Sequence, residues 1–422
     1  MNTKHKPDAM VRSLFFGLLF LLLCTPSAVL GQYGDMGKKL VIDGYLVNMQ
    51  SVSISERPIE LPDSLGFLTK GDKHIYNTNI SFQNRLNLFW YVNDKLSVTA
   101  QMRNRLIVGD QVRMDFTGQL EDSYENTDNF FNPAWNVAVG NSYILNLAFD
   151  RIYAEYTSGN LAISLGKQRI NWGKTFAFNP NDMFNTYAYF DFDYEEKPGT
   201  DAFRAMYYTG AASSVEVAAN IDSARQVSAA IKWNANLMNY DFQVLGGMLK
   251  SKDLALGFGW SGYIKDASWR GELAWYQPFE NFRDTSGLVM LSTGMDYSFS
   301  SKWTVQTEMM LAKLPKGKEI VFFDAYAPPQ SVKDLATSPF QLLASAMFQA
   351  SPLSSFSLTG IWYPHPDIKG VFIGPSWAYS LADNLSASLY WQFFHGNFPD
   401  ILTNKISRQS INSGFLRLKY SF

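Results

Sequence analysis

Three histidines follow residue 31 of this 422-residue chain, His74, His365 and His395, and they are the first suspects for chemistry. A hydrolase working on lipid at a membrane wall needs a nucleophile held against such a base. His395, in "FFHGN", has no serine partner by pattern, and a partner brought close only in space is invisible to spacing. Two stretches mix carboxylates with aromatic rings: "QLEDSYENTDNFFNPAWN" (119–136) and "FNPNDMFNTYAYFDFDYEEKP" (178–198). Rings beside polar groups suit the apolar faces of sugars, and clustered carboxylates suit calcium. Neither stretch has calcium-loop spacing, and no carboxylate pair stands out for glycoside cleavage. No catalytic residue, metal site or cofactor is expected.

The remaining charges fall on one side of alternating stretches. In "ISFQNRLNLFWYV" (80–92), Ile80, Phe82, Leu86, Leu88, Trp90 and Val92 share a parity, and Gln83, Arg85 and Asn87 share the other. In "LSVTAQMRNRLIV" (96–108) the polar parity holds Thr99, Gln101, Arg103 and Arg105. Period-two alternation places unlike residues on the two faces of a strand. "FDRIYAEY" (149–156) puts Arg151, Tyr153 and Glu155 on the polar face and leaves Asp150 as an exception on the apolar one. "LAISLGKQRINWG" (161–173) begins apolar at Leu161, Ile163 and Leu165, yet the same parity reaches Lys167 and Arg169. A β-bulge near Gly166 would turn Lys167, Arg169 and Asn171 to the polar face and Ile170 and Trp172 to the apolar one. The alternative leaves both cations beyond the membrane at the strand's end. "DAFRAMYY" (201–208) adds Arg204, and the last stretch adds Arg417 and Lys419.

The ends of the chain say which two environments these are. Lys4, Lys6 and Arg12 precede an uncharged run, "LFFGLLFLLL" (14–23), and then the small-residue exit "SAVLGQ" (27–32). That is the build of a cleaved secretory signal over residues 1–31. The run is about half the ~20 residues a membrane-spanning helix needs. Cys24, the only cysteine, lies inside the signal, so residues 32–422 carry no disulfide. The chain counts 36 Lys and Arg against 38 Asp and Glu; without the three basic residues and Asp8 of the signal the balance is 33 to 37, a net charge of −4. Nothing there suggests a nucleic-acid partner. Aromatics make up 15% of residues, and no long apolar segment follows the signal. An exported, ring-rich chain without membrane helices has one way to satisfy its backbone in lipid, a closed barrel.

Tight turns fall at "VNDK" (92–95), "TSGN" (157–160), "TGAAS" (209–213), "NANL" (234–237), "KDAS" (265–268), "FSSK" (299–302), "SPLSS" (351–355) and "LADN" (381–384). Longer connections fall between them, the longest at 111–143, 173–199 and 312–337. The expected fold is all-β: one transmembrane antiparallel up-and-down barrel over 32–422, with about eighteen strands. Sixteen stays open, because 213–220 and 253–264 are weakly patterned. Residues 173–199 are the choice for a loop folded into the pore.

The chain stops on "FLRLKYSF" (415–422), with Leu416, Leu418, Tyr420 and Phe422 on one face. With the signal and the alternating segments, this resembles a Gram-negative outer-membrane, porin-like β-barrel. A narrower likeness at "LGKQRINWGKTFAFNPNDMFN" (165–185) is to porin-like barrels near the alginate-export channels. The resemblance implies that the four terminal residues are a signal for barrel-insertion machinery and that the partners are outer-membrane lipid and small hydrophilic solutes. Trimers are common in such proteins, and the oligomeric state is left open.

Set in order around the barrel, Arg417, Lys419, Arg85, Arg103, Arg105, Arg151, Lys167, Arg169 and Arg204 form a cationic arc with Glu155 among them. Glu216, Asp241, Glu272, Asp296 and Glu308 form an anionic arc opposite, against Lys232 and Arg270. Facing arcs would set a transverse field across a passive pore; the bland alternative is that these charges only solvate one another. A polysaccharide-export or surface-assembly barrel would share every feature above, and an outer-membrane lipid hydrolase is the enzymatic rival.

Overall fold

The computed structural model describes residues 39–56, 74–115, 118–125, 128–186, 197, 199–317, 331–399 and 406–422. The expected signal, 1–31, and parts of the three long connections lie outside them. Nineteen strands form one antiparallel sheet. In chain order they are β1 (Leu40–Glu56), β2 (His74–Tyr91), β3 (Leu96–Gly109), β4 (Ala134–Gly140), β5 (Tyr143–Ser158), β6 (Leu161–Gln168), β7 (Thr200–Gly210), β8 (Ser213–Ile221), β9 (Val227–Leu237), β10 (Tyr240–Leu249), β11 (Asp253–Ile264), β12 (Ala267–Pro278), β13 (Leu288–Ser298), β14 (Trp303–Lys313), β15 (Phe340–Ser351), β16 (Ser354–Tyr363), β17 (Gly370–Ala382), β18 (Leu385–Pro399) and β19 (Ile406–Ser421).

Each strand pairs with its neighbours in sequence, and β19 pairs with β1 to close the cylinder. The closing seam runs to the last residue: Phe422 and Gly44 exchange both backbone hydrogen bonds at 3.0 Å. A single strand is extra. β3 pairs directly with β5, so β4 is no barrel stave, and eighteen strands make the wall. β4 fills a gap. β6 covers only residues 152–158 of β5, because the chain leaves the wall after Gln168. β4 takes residues 143–148 on that bare edge, Pro133 C=O accepts from Phe149 N–H, and Asp150 C=O accepts from Gly199 N–H. Among the described residues both edges of β5 are thus covered.

The faces follow the alternation. Ile80, Phe82, Trp90, Leu389, Leu416 and Leu418 are exposed on the outside, while Gln83, Arg85, Asn87, Thr99 and Gln101 are buried inside. Trp90, Tyr156, Tyr207, Trp303 and Tyr420 stand on the outer face near the short turns, where aromatic rings mark a membrane interface. Asp150 departs from the sequence expectation. The β3–β5 register slips between Gln101 and Met102, which pair with Arg151 and Phe149, so Asp150 is the extra residue of a bulge. It is 2% exposed and ion-paired to two arginines, so the bulge removes the charge that simple parity would have left in lipid.

The bulge expected at Gly166 is absent. Pairing runs unbroken through Gly166 to both β5 and β7. Gly166 instead takes φ +123°, and a Cβ there would lie 2.4 Å from the Ile152 carbonyl oxygen. Two residues later the strand ends. Ile170 and Trp172 therefore never reach an outer belt; both are 1% exposed, inside the barrel. The main hydrophobic core lies there too, where Ile170, Trp172, Phe178, Met183 and Phe184 pack against Leu245, Met290 and Met310 of the wall.

Candidate functional site

The site is the lumen and the segment 169–186 folded into it. Small side chains on the inner face of β8, β9, β11 and β12 make the room: Ala218, Ala230, Ala255 and Ala274 are all nearly or wholly buried beneath the segment. Gly257 is required by the close approach, since a Cβ there would lie 2.3 Å from Asn181 Oδ1.

Three wall carboxylates hold the segment, largely by its backbone. Glu272 Oε1 accepts from Lys174 N–H, from Thr175 N–H (2.9 Å) and from Thr175 Oγ1–H (3.1 Å). Its Oε2 accepts from Asn181 N–H at 2.7 Å. Glu308 accepts from the consecutive N–H groups of Phe176, Ala177 and Phe178 at 2.7, 3.2 and 2.6 Å. Glu216 accepts from Trp172 Nε1–H at 2.9 Å while pairing with Arg204 (2.6 Å) and Lys232 (3.0 Å). Consecutive backbone N–H groups form a concavity that suits an anion. Here the anion is a side chain of the barrel itself. Gln243 Nε2–H donates to Trp172 C=O, Tyr276 O–H donates to Pro180 C=O, and Lys232 Nζ lies 4.8 Å from the Trp172 ring centroid.

Asp182 and Lys174 are the titratable groups that the segment itself brings inside. Asp182 Oδ1 accepts from Trp172 N–H at 3.1 Å, and Oδ2 is buried without a hydrogen-bond partner among the described residues. Burial pushes its carboxyl up to about 7, which the Trp172 N–H and the Arg169 charge only partly offset. Burial holds Lys174 below the usual lysine range, against the pull of Asp241 and Glu272.

The opposite wall is charged. Arg85 and Arg103 face each other across β2 and β3. Asp150 bridges them, 2.6 Å from Arg85 Nη1 and 3.6 Å from Arg103 Nη2. Arg85 also donates to Gln101 (2.9 Å) and Asn87 (3.0 Å). Arg105 lies over the Tyr124 ring, and Tyr124 belongs to the short helix Gln119–Glu125 of the connection above. Arg151 donates to Lys197 C=O at 2.8 Å, and Lys419 Nζ lies 4.5 Å from the Tyr45 ring centroid. Arg151, Tyr153, Glu155 and Lys419 are half-exposed inner-face residues, whereas Arg417 is buried. Lys167 is not turned inward by the expected bulge: it keeps the parity of Leu165, pairs with Ile152 and Asp201, and is 3% exposed where β6 ends.

The fifteen charges singled out from sequence thus sort into different jobs. Glu216, Glu272 and Glu308 lie together under the segment. Asp241 and Asp296 sit apart from them, close to the short turns, with Asp296 ion-paired to Arg270 and Asp241 accepting from Asn236. Arg204 bridges to the acidic group through Glu216, and Arg169 travels with the segment. Trp172, Lys174, Asp182 and Gln243 were not singled out as functional residues. Only the "NWGKTFAFNPND" run, rich in turn formers directly after a strand, hinted at them.

The rival catalytic pair can be judged directly. His395 Nδ1 lies 2.8 Å from Ser410 Oγ, across β18 and β19 on the outer wall. Arg408 Nε–H donates to His395 Nε2 at 2.8 Å. A cationic donor fixes Nε2 as the acceptor, so Nδ1 carries the proton and donates to Ser410. This tautomer cannot take a proton from the serine.

A closed eighteen-strand wall, apolar outside and polar inside, with a segment folded into the lumen, is the architecture of a porin-like outer-membrane barrel. Three Occ porins of Pseudomonas aeruginosa have similar structures. OccK7 (OpdD) matches with TM-score 0.53 at 8% identity, over 90% of this chain and 99% of that one. OccK11 (OpdR) matches with TM-score 0.52 at 10% identity, over 90% and 96%, and OccK3 (OpdO) with TM-score 0.51 at 10% identity, over 90% and 95%. At such identities the likeness establishes the fold. No family model matches the chain, and no curated protein does.

Proposed function

We propose that the protein is a channel of the bacterial outer membrane, through which small hydrophilic solutes diffuse passively and anions pass more readily than cations. The observation that carries this reading is the asymmetry of the lumen. Inner residues of β8, β11, β12, β13 and β14 are sealed beneath the segment, with Ala218, Ala255, Met290 and Met310 at 0% and Ala274 at 1% exposure. Across from them Arg151, Tyr153 and Glu155 of β5 and Lys419 of β19 stay half-exposed, while Arg85, Gln101 and Arg417 are buried. One side is filled by the segment, and the other keeps a half-exposed strip at these four residues. The filled side also turns its carboxylates from the passage: Glu272 and Glu308 face the segment's N–H groups and Glu216 is ion-paired to Arg204 and Lys232, which leaves the arginine- and lysine-bearing wall to set the sign of the passage. The transverse field expected from two facing arcs is thereby recast as a cationic wall opposite a docked segment.

The same reading has residues 1–31 removed on export, and Leu416, Leu418, Tyr420 and Phe422 read by the insertion machinery. The pairing of Phe422 with Gly44 supports the second point, because it makes the terminus the seam on which closure depends. Liposome swelling tests the channel. Vesicles holding the folded protein should swell in isotonic small carboxylates faster than in neutral sugars of equal size, and hardly at all in large oligosaccharides. Swelling no faster than protein-free vesicles in every solute would overturn it.

A further inference from the structure

The outer wall carries a feature that the channel does not use. On the lipid-facing side of β1, β2 and β16–β19 lies a concavity of about 730 Å³, walled by Val52, Ile80, Phe356, Leu389, Trp391 and Leu416. Its floor is low at Gly414, where a Cβ would lie 2.7 Å from the Trp391 ring. Directly above it on the same outward parity is a polar cluster. Ser410 pairs with His395, and two residues on Arg408 pairs with Asn397. Arg408 is exposed, its Nε–H donating to His395. Lys369, also exposed, stands one strand over beside Asn397, whose N–H donates to Ile368 C=O.

The heights fit a membrane boundary. An apolar band ~25 Å tall, crossed by strands rising ~3.3 Å per residue at a tilt of ~40°, takes about ten residues. Counting from Tyr420 at the short-turn girdle, ten residues end at Ser410. Arg408 and Lys369 therefore stand at the headgroup level of the leaflet on the long-connection side, and the concavity crosses the hydrocarbon obliquely, from Phe356 beside a short turn through Gly414 to Ile80.

We propose that this face of the barrel binds one phosphorylated, acylated lipid of the outer leaflet, its phosphate against Arg408 and Lys369 and an acyl chain in the concavity over Gly414. Arginine supplies charge and a forked set of donors for phosphate oxygens. His395 and Ser410 orient it: with Nε2 accepting from Nε–H, the terminal guanidinium nitrogens are turned toward the lipid. The hydrogen-bonded trio that fails as a catalytic pair is thus a positioning device for one cation.

Native mass spectrometry of the full folded barrel, released from detergent after titration with lipid A or with dephosphorylated lipid A, tests this. The protein should retain one lipid A, with about tenfold weaker retention of the dephosphorylated form. Arg408→Gln should bring lipid A down to that weaker level, and Ile80→Trp, which fills the concavity, should weaken both forms. Single-channel conductance should be unchanged in both variants, which shows that the barrel is intact. Equal retention of the two lipids, or undiminished retention by Arg408→Gln, would overturn the proposal. A lipid-free dimer disrupted by Ile80→Trp would overturn it too, assigning the face to a second copy of the chain.

Discussion

Cutting the carboxylates that hold the inward segment should open the pore, and the cost can be worked from the contacts. Glu272→Ala removes the acceptor for the N–H groups of Lys174, Thr175 and Asn181, and Glu308→Ala that for Phe176, Ala177 and Phe178. Each buried N–H left without a partner costs ~1–3 kcal/mol, so each truncation costs roughly 3–9 kcal/mol with the segment in place. Against this stands burial of Trp172, Phe178, Met183 and Phe184, which favours docking by roughly 1.5–3 kcal/mol each, about 6–12 in total and an upper bound. One truncation should therefore leave the segment docked but restless, seen as current noise and brief openings. Both together, at roughly 6–18 kcal/mol, match or exceed the apolar contribution and should release it. The assay is single-channel recording on protein whose folding is verified by heat-dependent gel mobility. The double variant should conduct about twofold more than the parent, or better, with weaker ion selectivity. Glu272→Gln with Glu308→Gln, which keeps one acceptor at each site, should fall between. A folded double Ala variant with unchanged conductance would refute the claim that these carboxylates hold the constriction.

Arg85→Leu leaves Asp150 buried without its 2.6 Å partner, and should lower stability by roughly 3–5 kcal/mol in urea unfolding; the further change Asp150→Leu should recover much of it. Docking of the segment should depend on pH through Asp182. Its carboxyl titrates near 7 when docked and in the ordinary carboxylate range when released, so the docked state holds the extra proton between those values. Docking is then favoured at low pH, weakens as pH rises from the ordinary carboxylate range to about 7, and is level above it. Opening events in the current record should increase from about pH 4 to 7 and level off above it, and Asp182→Asn should flatten that dependence. Gly257→Val, whose side chain would collide with Asn181, should cost roughly 1–3 kcal/mol as overpacking and raise current noise without changing reversal potential.

The strands were legible because lipid penalises a charge on the wrong face, so each stave declares its register. The eight short turns likewise declare themselves through Gly, Asn, Asp, Ser and Pro. Reading failed where strict alternation did. Asp150 looked like an exception because a one-residue bulge has no required sequence when the extra residue is an ordinary one. Ile170 and Trp172 were placed outside because parity was carried past Gln168, where the strand had already ended. β4 was hidden inside a long connection, since its role depends on an edge that another strand vacates. Glu216, Glu272 and Glu308 could be placed on the inner face, but their partners are largely backbone N–H groups, which every residue but proline carries and no motif marks. The His395–Ser410 contact is a cross-strand pair fifteen residues apart, and only the register reveals it.

The most direct measurement is the current through single molecules of the folded barrel in a planar bilayer, with reversal potential in a salt gradient. Discrete conductance steps are expected, with a reversal potential favouring anions that shifts toward cations in Arg103→Gln with Arg151→Gln. A verified, folded barrel that passes no current, or an anion preference untouched by those two changes, would contradict a channel whose selectivity is set by its cationic wall.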